Sequence, residues 1–118
     1  MKIDINKVKI FVTVPYNNTE DIRNVACSNG AGIIGNYSYC TTCSKVVGTF
    51  IPNDNAKPFI GNNNKLEVVE EDKLEFVCNI EIAKDVITAI RKVHPYEEPA
   101  IDIVPLIDEN SLVNNVKH

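Results

Sequence analysis

The chain has 118 residues and a net charge of −4, with charged residues (24%) spread along its length. That length suits one domain around one core, and the lack of a basic stripe argues against a nucleic-acid partner. No apolar run approaches the roughly 20 residues of a membrane helix, and the stretch Met1 to Lys7 has no signal-peptide apolar core. A cytoplasmic protein is therefore expected, with its four cysteines as thiols.

Residues 7–14 alternate, with Val8, Ile10, Val12 and Val14 on one face and Phe11 on the other. This predicts a central strand with its Val/Ile face on the core. Pro15 ends it. Asn17, Asn18 and Thr19 are candidate N-caps, and Glu20 and Asp21 suit the positive end of a helix dipole. Ile22, Val25 and Ala26 give a helix of about ten residues its apolar face, and Gly30 is its left-handed cap.

Gly30, Gly32 and Gly35 have Gly-x-Gly-x-x-Gly spacing, but they follow a helix and precede a strand. A dinucleotide loop needs the reverse order, so a tight helix-to-strand turn is expected. Residues 36–51 read as a long or bent strand, or as two, with Gly48 marking a bulge or a close approach. Residues 52–64 form a polar loop anchored by Phe59 and Ile60, either a binding lid or a surface connection. Residues 65–69 and 73–80 read as two extended segments split by Glu70, Glu71 and Asp72.

Ala83, Val86, Ile87, Ile90 and Val93 then recur at helical spacing. Pro95 cannot continue that helix. After Pro99 the run Ile101, Ile103, Pro105 predicts a short strand. The domain is expected to span 1–118, with an ordered core of about 7–106 and a polar tail over 108–118 that is frayed or docks on a partner.

Strand, helix, strands, helix, strand is the split βαβ order of a ferredoxin-like α+β sandwich, an antiparallel sheet with two helices on one face. In that topology the last strand runs antiparallel to the first. His94 to Glu98 should then lie near Pro15, Tyr16, Asn17 and the 52–64 loop, with the glycine turn at the opposite end.

The connection His94-Pro95-Tyr96-Glu97-Glu98-Pro99 holds the densest polar group. His94, Glu97 and Glu98 could hold a divalent metal, since imidazole and carboxylate suit zinc or a similar ion. Three or four ligands are needed, however, and the only other histidine is His118. The alternative is a His94 cation at the helix C-terminus, a packed Tyr96 and solvated glutamates. Cys40-Thr41-Thr42-Cys43 has redox-dithiol spacing. It lies in extended sequence rather than at a helix N-terminus, and Cys27 and Cys78 are isolated, so structural thiols are expected.

Three passages together resemble a known family: Gly30 to Cys40, Gly48-Thr49-Phe50-Ile51-Pro52, and His94 to Leu106. They are similar to the insertion domain of the NGG-interacting factor three proteins, and Lys65 to Glu70 after Phe59-Ile60-Gly61 also fits. The resemblance covers roughly residues 7–106. It implies a PII/CutA-like ferredoxin fold, usually trimeric, with no established reaction of its own. The dinuclear metal chemistry of that family belongs to two flanking lobes and is not carried over to these residues. The resemblance implies a free-standing, non-enzymatic oligomeric module that binds a small ligand or acts as a regulator. The candidate surface is Tyr16, His94, Tyr96, Glu97 and Glu98 with the 52–64 loop, and Gly35, Asn36, Tyr37 and Cys40, if they also face ligand, form a second patch or reach the first across a subunit interface. A metal-dependent hydrolase using His94, Glu97 and Glu98, and an adaptor docking on another protein chain, are the alternatives.

Overall fold

The computed structural model describes residues 2–113, so His118 and the rest of the tail from 114 lie outside the described residues. Six elements follow in order: β1 (Lys7–Pro15), α1 (Thr19–Ser28), β2 (Thr41–Phe50), β3 (Glu67–Asn79), α2 (Ala83–Val93) and β4 (Ile101–Leu106). The strands form one antiparallel sheet in the order β2-β3-β1-β4. Both helices pack side by side on one face, as the split βαβ order requires.

The alternation in β1 decides which face is covered. Val8, Ile10, Val12 and Val14 are buried with Leu74 and Phe76 of β3 beneath Ile22 and Ala26 of α1 and Val86 and Ile90 of α2. The other face of the sheet mixes charged side chains with apolar ones such as Phe11, Val77 and Val104. Lys9 meets Glu75 at 3.6 Å, and the Lys73 ammonium lies 4.9 Å from the Phe11 ring centroid. Gly30 caps α1 at φ +100, with Gly30 N–H donating to Cys27 O (3.1 Å) and Ala31 N–H to Ala26 O (3.1 Å). This is the paired-bond ending that favours glycine.

Several expectations change. Residues 65–80 do not split at the acidic triplet, because β3 runs unbroken for 13 residues. Adjacent strand residues face opposite ways, and both central acids find partners. Asp72 turns to the helix face and accepts from the Thr19 hydroxyl (2.6 Å), while Glu71 turns to the open face and accepts from the Tyr96 hydroxyl (2.7 Å). Thr19 is thus used by the sheet, and neither Asn18 nor its neighbours cap α1 through a side chain; a single turn of 3₁₀ helix (Tyr16–Asn18) leads in instead. Residues 36–40 are not strand. Ile34 and Tyr37 bridge around Gly35 and Asn36, and Tyr39 takes φ +56 before β2 begins. Val93 is 42% exposed and leaves the α2 stripe.

Gly48 is a close approach rather than a bulge, since a Cβ there would collide with the Glu71 carboxylate. Beyond Glu71, β3 pairs only with β2, so Val47–Phe50 and Glu67–Glu70 continue as a two-stranded ribbon past the helices. No helix among the described residues is long and apolar enough to cross a membrane.

Candidate ligand cleft

Helix α2 stops at His94, whose N–H still donates to Ile90 O (2.9 Å) while its backbone turns extended at φ −68, ψ 133. The extended turn is the one a residue before proline prefers. It swings the imidazole inward, where the residue is 7% exposed. His94 Nδ1 accepts the Tyr96 backbone N–H (3.1 Å), so that nitrogen carries no proton. Nε2 therefore bears the hydrogen and donates it to Thr13 O (2.9 Å). Burial holds the imidazole pKa below its usual value, and the Thr13 carbonyl and the Glu71 charge oppose this only in part. His94 is thus a neutral strut that ties the α2–β4 connection to β1, and not a cation at a helix end.

The same bonds bear on the metal reading. Both ring nitrogens of His94 are engaged, and Glu97 Oε1 accepts the Lys57 backbone N–H (2.9 Å). Among the described residues no three His, Cys, Asp or Glu side chains gather as a metal site. In this arrangement His94 offers no free ring nitrogen to an ion, which needs a lone pair from each ligand.

With the strut in place, Tyr96 reaches over the open face of the sheet. Its hydroxyl donates to Glu71 Oε2, and its ring packs 5.0 Å from that of His94 and 6.3 Å from that of Phe59. Burial first, and then the Glu71 carboxylate, push the phenol pKa well above its usual value, so Tyr96 remains a donor. Glu71 is itself only 7% exposed.

Around this pair lies a cleft of about 620 Å³. Thr13, Glu71, Lys73 and Asp102 floor it; Val46, Gly48 and Phe50 of β2 form one wall. The 52–60 loop, through Pro52, Pro58, Phe59 and Ile60, meets Tyr96, Glu97 and Glu98 on the other side. Four carboxylates and one lysine line an otherwise largely apolar hollow, a concave setting with a few converging polar groups.

The candidate residues divide accordingly. Tyr96, Glu97 and Glu98 line the cleft, and His94 stands behind them. Tyr16 lies outside it, its ring 4.0 Å from the Lys45 ammonium. Gly35, Asn36, Tyr37 and Cys40 sit at the far end of the sheet. Gly32 N–H donates to Val77 O there (2.8 Å), six residues and about 20 Å along β3 from Glu71. Glu71, Lys73 and Asp102 were not candidates. The Glu70-Glu71-Asp72 run was the available signal, because consecutive acids inside a strand must face opposite ways.

A neutral buried imidazole has a consequence for stability. The unfolded chain binds a proton near pH 6.5, whereas folded His94 binds one only at lower pH. Its contribution is therefore complete above about pH 6.5 and is lost as pH falls below it toward the folded value. Urea midpoints between pH 7.5 and 5 are expected to fall more steeply for the natural protein than for His94→Gln. Parallel curves would show that His94 does not titrate differently in the two states.

No family model matches the chain. A GTP cyclohydrolase 1 type 2 homolog of Halalkalibacterium halodurans is 48% identical over 101 residues, 86% of this chain and 27% of that protein. Its Bacillus subtilis counterpart is 47% identical over 98 residues, 83% and 26% of the two chains. Among solved structures, a Bacillus cereus protein related to NIF3 superposes with a TM-score of 0.76 at 37% identity, over 90% of this chain and 27% of that one. The divalent ion tolerance protein CutA1 of Ehrlichia chaffeensis superposes at 0.64 and 17% identity, over 94% and 87%, a likeness of fold alone. The chain spans about a quarter of the length of the curated relatives it matches. From sequence and fold together, the chain is similar over most of its length to one segment of NIF3-related proteins, and it has the fold of the CutA1 structures.

Proposed function

We propose that this domain is a non-enzymatic, self-associating module that binds a small ligand or effector in the cleft under Tyr96. The observation that carries the reading is the Tyr96–Glu71 bond (2.7 Å). It joins two segments 25 residues apart over a concave, mostly apolar surface. Buried polar pairs of this kind hold a site in shape before a ligand arrives. The cyclohydrolase name belongs to proteins about three times as long as this chain, and the reading assigns no reaction to this chain.

Self-association is supported by the two sheet edges, β2 and β4, neither of which has a second strand partner among the described residues. Strand β4 also exposes Ile103 (50%) and Val104 (44%). Such edges call for cover, and a homotrimer is the form that the family resemblance implies. The second reading, an adaptor that docks on another protein chain, is favoured by Val47 and Val68. These are 65% and 63% exposed on the ribbon beyond the helices.

Native mass spectrometry of gently purified protein tests the proposal. A trimer carrying a small mass that Tyr96→Phe releases is the expected result. A ligand-free monomer that does not respond to a metabolite panel in thermal-shift assays would overturn it. Tyr96→Phe removes one hydrogen bond to a carboxylate and is expected to cost about 1–2 kcal/mol of stability, read from urea unfolding; an unchanged midpoint would mean that the Glu71 contact is not made in solution.

A further inference from the structure

We propose that Cys27 and Cys40 are a redox pair, which a peroxide converts to a disulfide fastening the end of α1 to the start of β2. The Cys-x-x-Cys spacing would pair Cys40 with Cys43, but the fold separates them. Cys43 lies inside β2 with its thiol beside the Asp72 carboxylate, and Cys78 is buried in β3. What lies close to the Cys40 main chain is the Cys27 sulfur, across Gly32 of the glycine turn.

The geometry turns on Gly32. At φ +73, a Cβ built on it would lie 3.2 Å from Cys27 Sγ and 3.2 Å from both the backbone N and O of Cys40. One carbon atom would thus touch the Cys27 sulfur and the Cys40 main chain together, and glycine leaves that space open. The surrounding backbone is pinned. Cys40 N–H donates to Gly32 O (2.8 Å), Gly32 N–H to Val77 O (2.8 Å) and Gly30 N–H to Cys27 O (3.1 Å). The Cys40 thiol is held only by a 3.8 Å contact to Ser38 O, so a rotation about its χ1 can carry the sulfur into the gap. A disulfide needs Cα atoms about 4.4–6.8 Å apart, a separation that a shared one-atom gap allows. Both residues are partly exposed, so a small oxidant can reach them. Burial keeps the Cys27 thiol pKa raised, with Arg23 opposing and Cys40 adding to the rise.

The step balances as follows. The Cys40 thiolate attacks hydrogen peroxide, breaking its O–O bond and giving a sulfenic acid and, after proton uptake, water. Cys27 sulfur then displaces the sulfenic hydroxyl, which keeps its own hydrogen, takes the Cys27 proton and leaves as a second water. Two thiols have lost two electrons and two protons, and the peroxide has been reduced to two waters. The bond encloses residues 27–40, including the exposed Gly35-Asn36-Tyr37 turn, in which Tyr37 is 75% exposed. Oxidation would fix the shape of the surface that this turn presents.

The test treats the full chain with hydrogen peroxide, alkylates it, and maps peptides without reduction. The expected product is a chain lighter by two hydrogens, with Cys27 linked to Cys40 of the same chain, a thermal midpoint raised by several degrees, and full reversal by dithiothreitol. Cys27→Ser and Cys40→Ser should each abolish the link, while Cys43→Ser and Cys78→Ser should leave it. A Cys40–Cys43 link, a disulfide between chains, or sulfinic acid without any cross-link would overturn the proposal.

Discussion

His94→Ala is expected to lower the unfolding free energy by about 3–4 kcal/mol, from lost packing and from stranded polar groups. The ring is 7% exposed, so its removal leaves a hollow between α2 and β1 that the neighbouring strands cannot close. It also leaves Thr13 O and the Tyr96 N–H without their side-chain partner. The loss extends to the cleft, because the Tyr96 hydroxyl meets Glu71 only while the connection is tied down at its base. Two conservative variants separate these effects. The carbonyl of Asn is positioned to replace Nδ1 as acceptor, and the amide of Gln to replace Nε2–H as donor. Each is expected to recover about 1 kcal/mol. Equilibrium urea unfolding of the three variants at pH 7.5 measures this. A cost below about 1 kcal/mol for His94→Ala would place the ring in solvent, since exposed substitutions cost little.

Gly48→Ala is expected to cost about 2–3 kcal/mol, the range of an overpacked site that also loses a charge-assisted hydrogen bond. Alanine is ordinarily the better strand residue, so the sign itself is informative. The added methyl would occupy the position of the Glu71 carboxylate. That carboxylate can move aside only by giving up the Tyr96 hydroxyl, and it is buried. In a Glu71→Ala background the obstacle is gone, and Gly48→Ala should become neutral or stabilising. The four proteins of the cycle should therefore show a coupling of about 2 kcal/mol by urea unfolding. Additive costs would mean that strand propensity, and not the Glu71 contact, accounts for the glycine. Gly48→Ala is also expected to weaken whatever occupies the cleft, since it shifts the carboxylate at its floor.

Much of the framework was legible because it rests on local periodicity. The alternation of Val8, Ile10, Val12 and Val14 placed β1 at the centre of the sheet, and Ala83, Val86 and Ile90 placed α2 over it. Once two helices are spaced between strands in that order, few antiparallel arrangements remain. The meeting of the His94 connection with the 52–64 loop follows from that topology, and the bond from Lys57 N–H to Glu97 joins the two. The misreadings share a cause. Glu70, Glu71 and Asp72 looked like a break because acids are usually solvated, and a residue's neighbours in sequence do not disclose a partner elsewhere. Tyr37 and Tyr39 looked like strand because their β propensity was counted without the turn at Gly35.

The order of helices and strands, the covered face of the sheet and the family resemblance can be read directly from the residues. All of these depend on residue spacing over short distances. The state and company of the individual polar groups depend instead on contacts between distant parts of the chain. Thr13, 81 residues from His94, joins Tyr96 in fixing the imidazole as neutral; Tyr96, 25 residues from Glu71, makes that acid a buried acceptor. The Cys27 sulfur and the Cys40 main chain border the same glycine, although Cys43 is nearer to Cys40 in sequence. The physical reason is that desolvation and hydrogen bonding are set by whatever the fold brings within a few ångströms, and no periodicity along the chain encodes that.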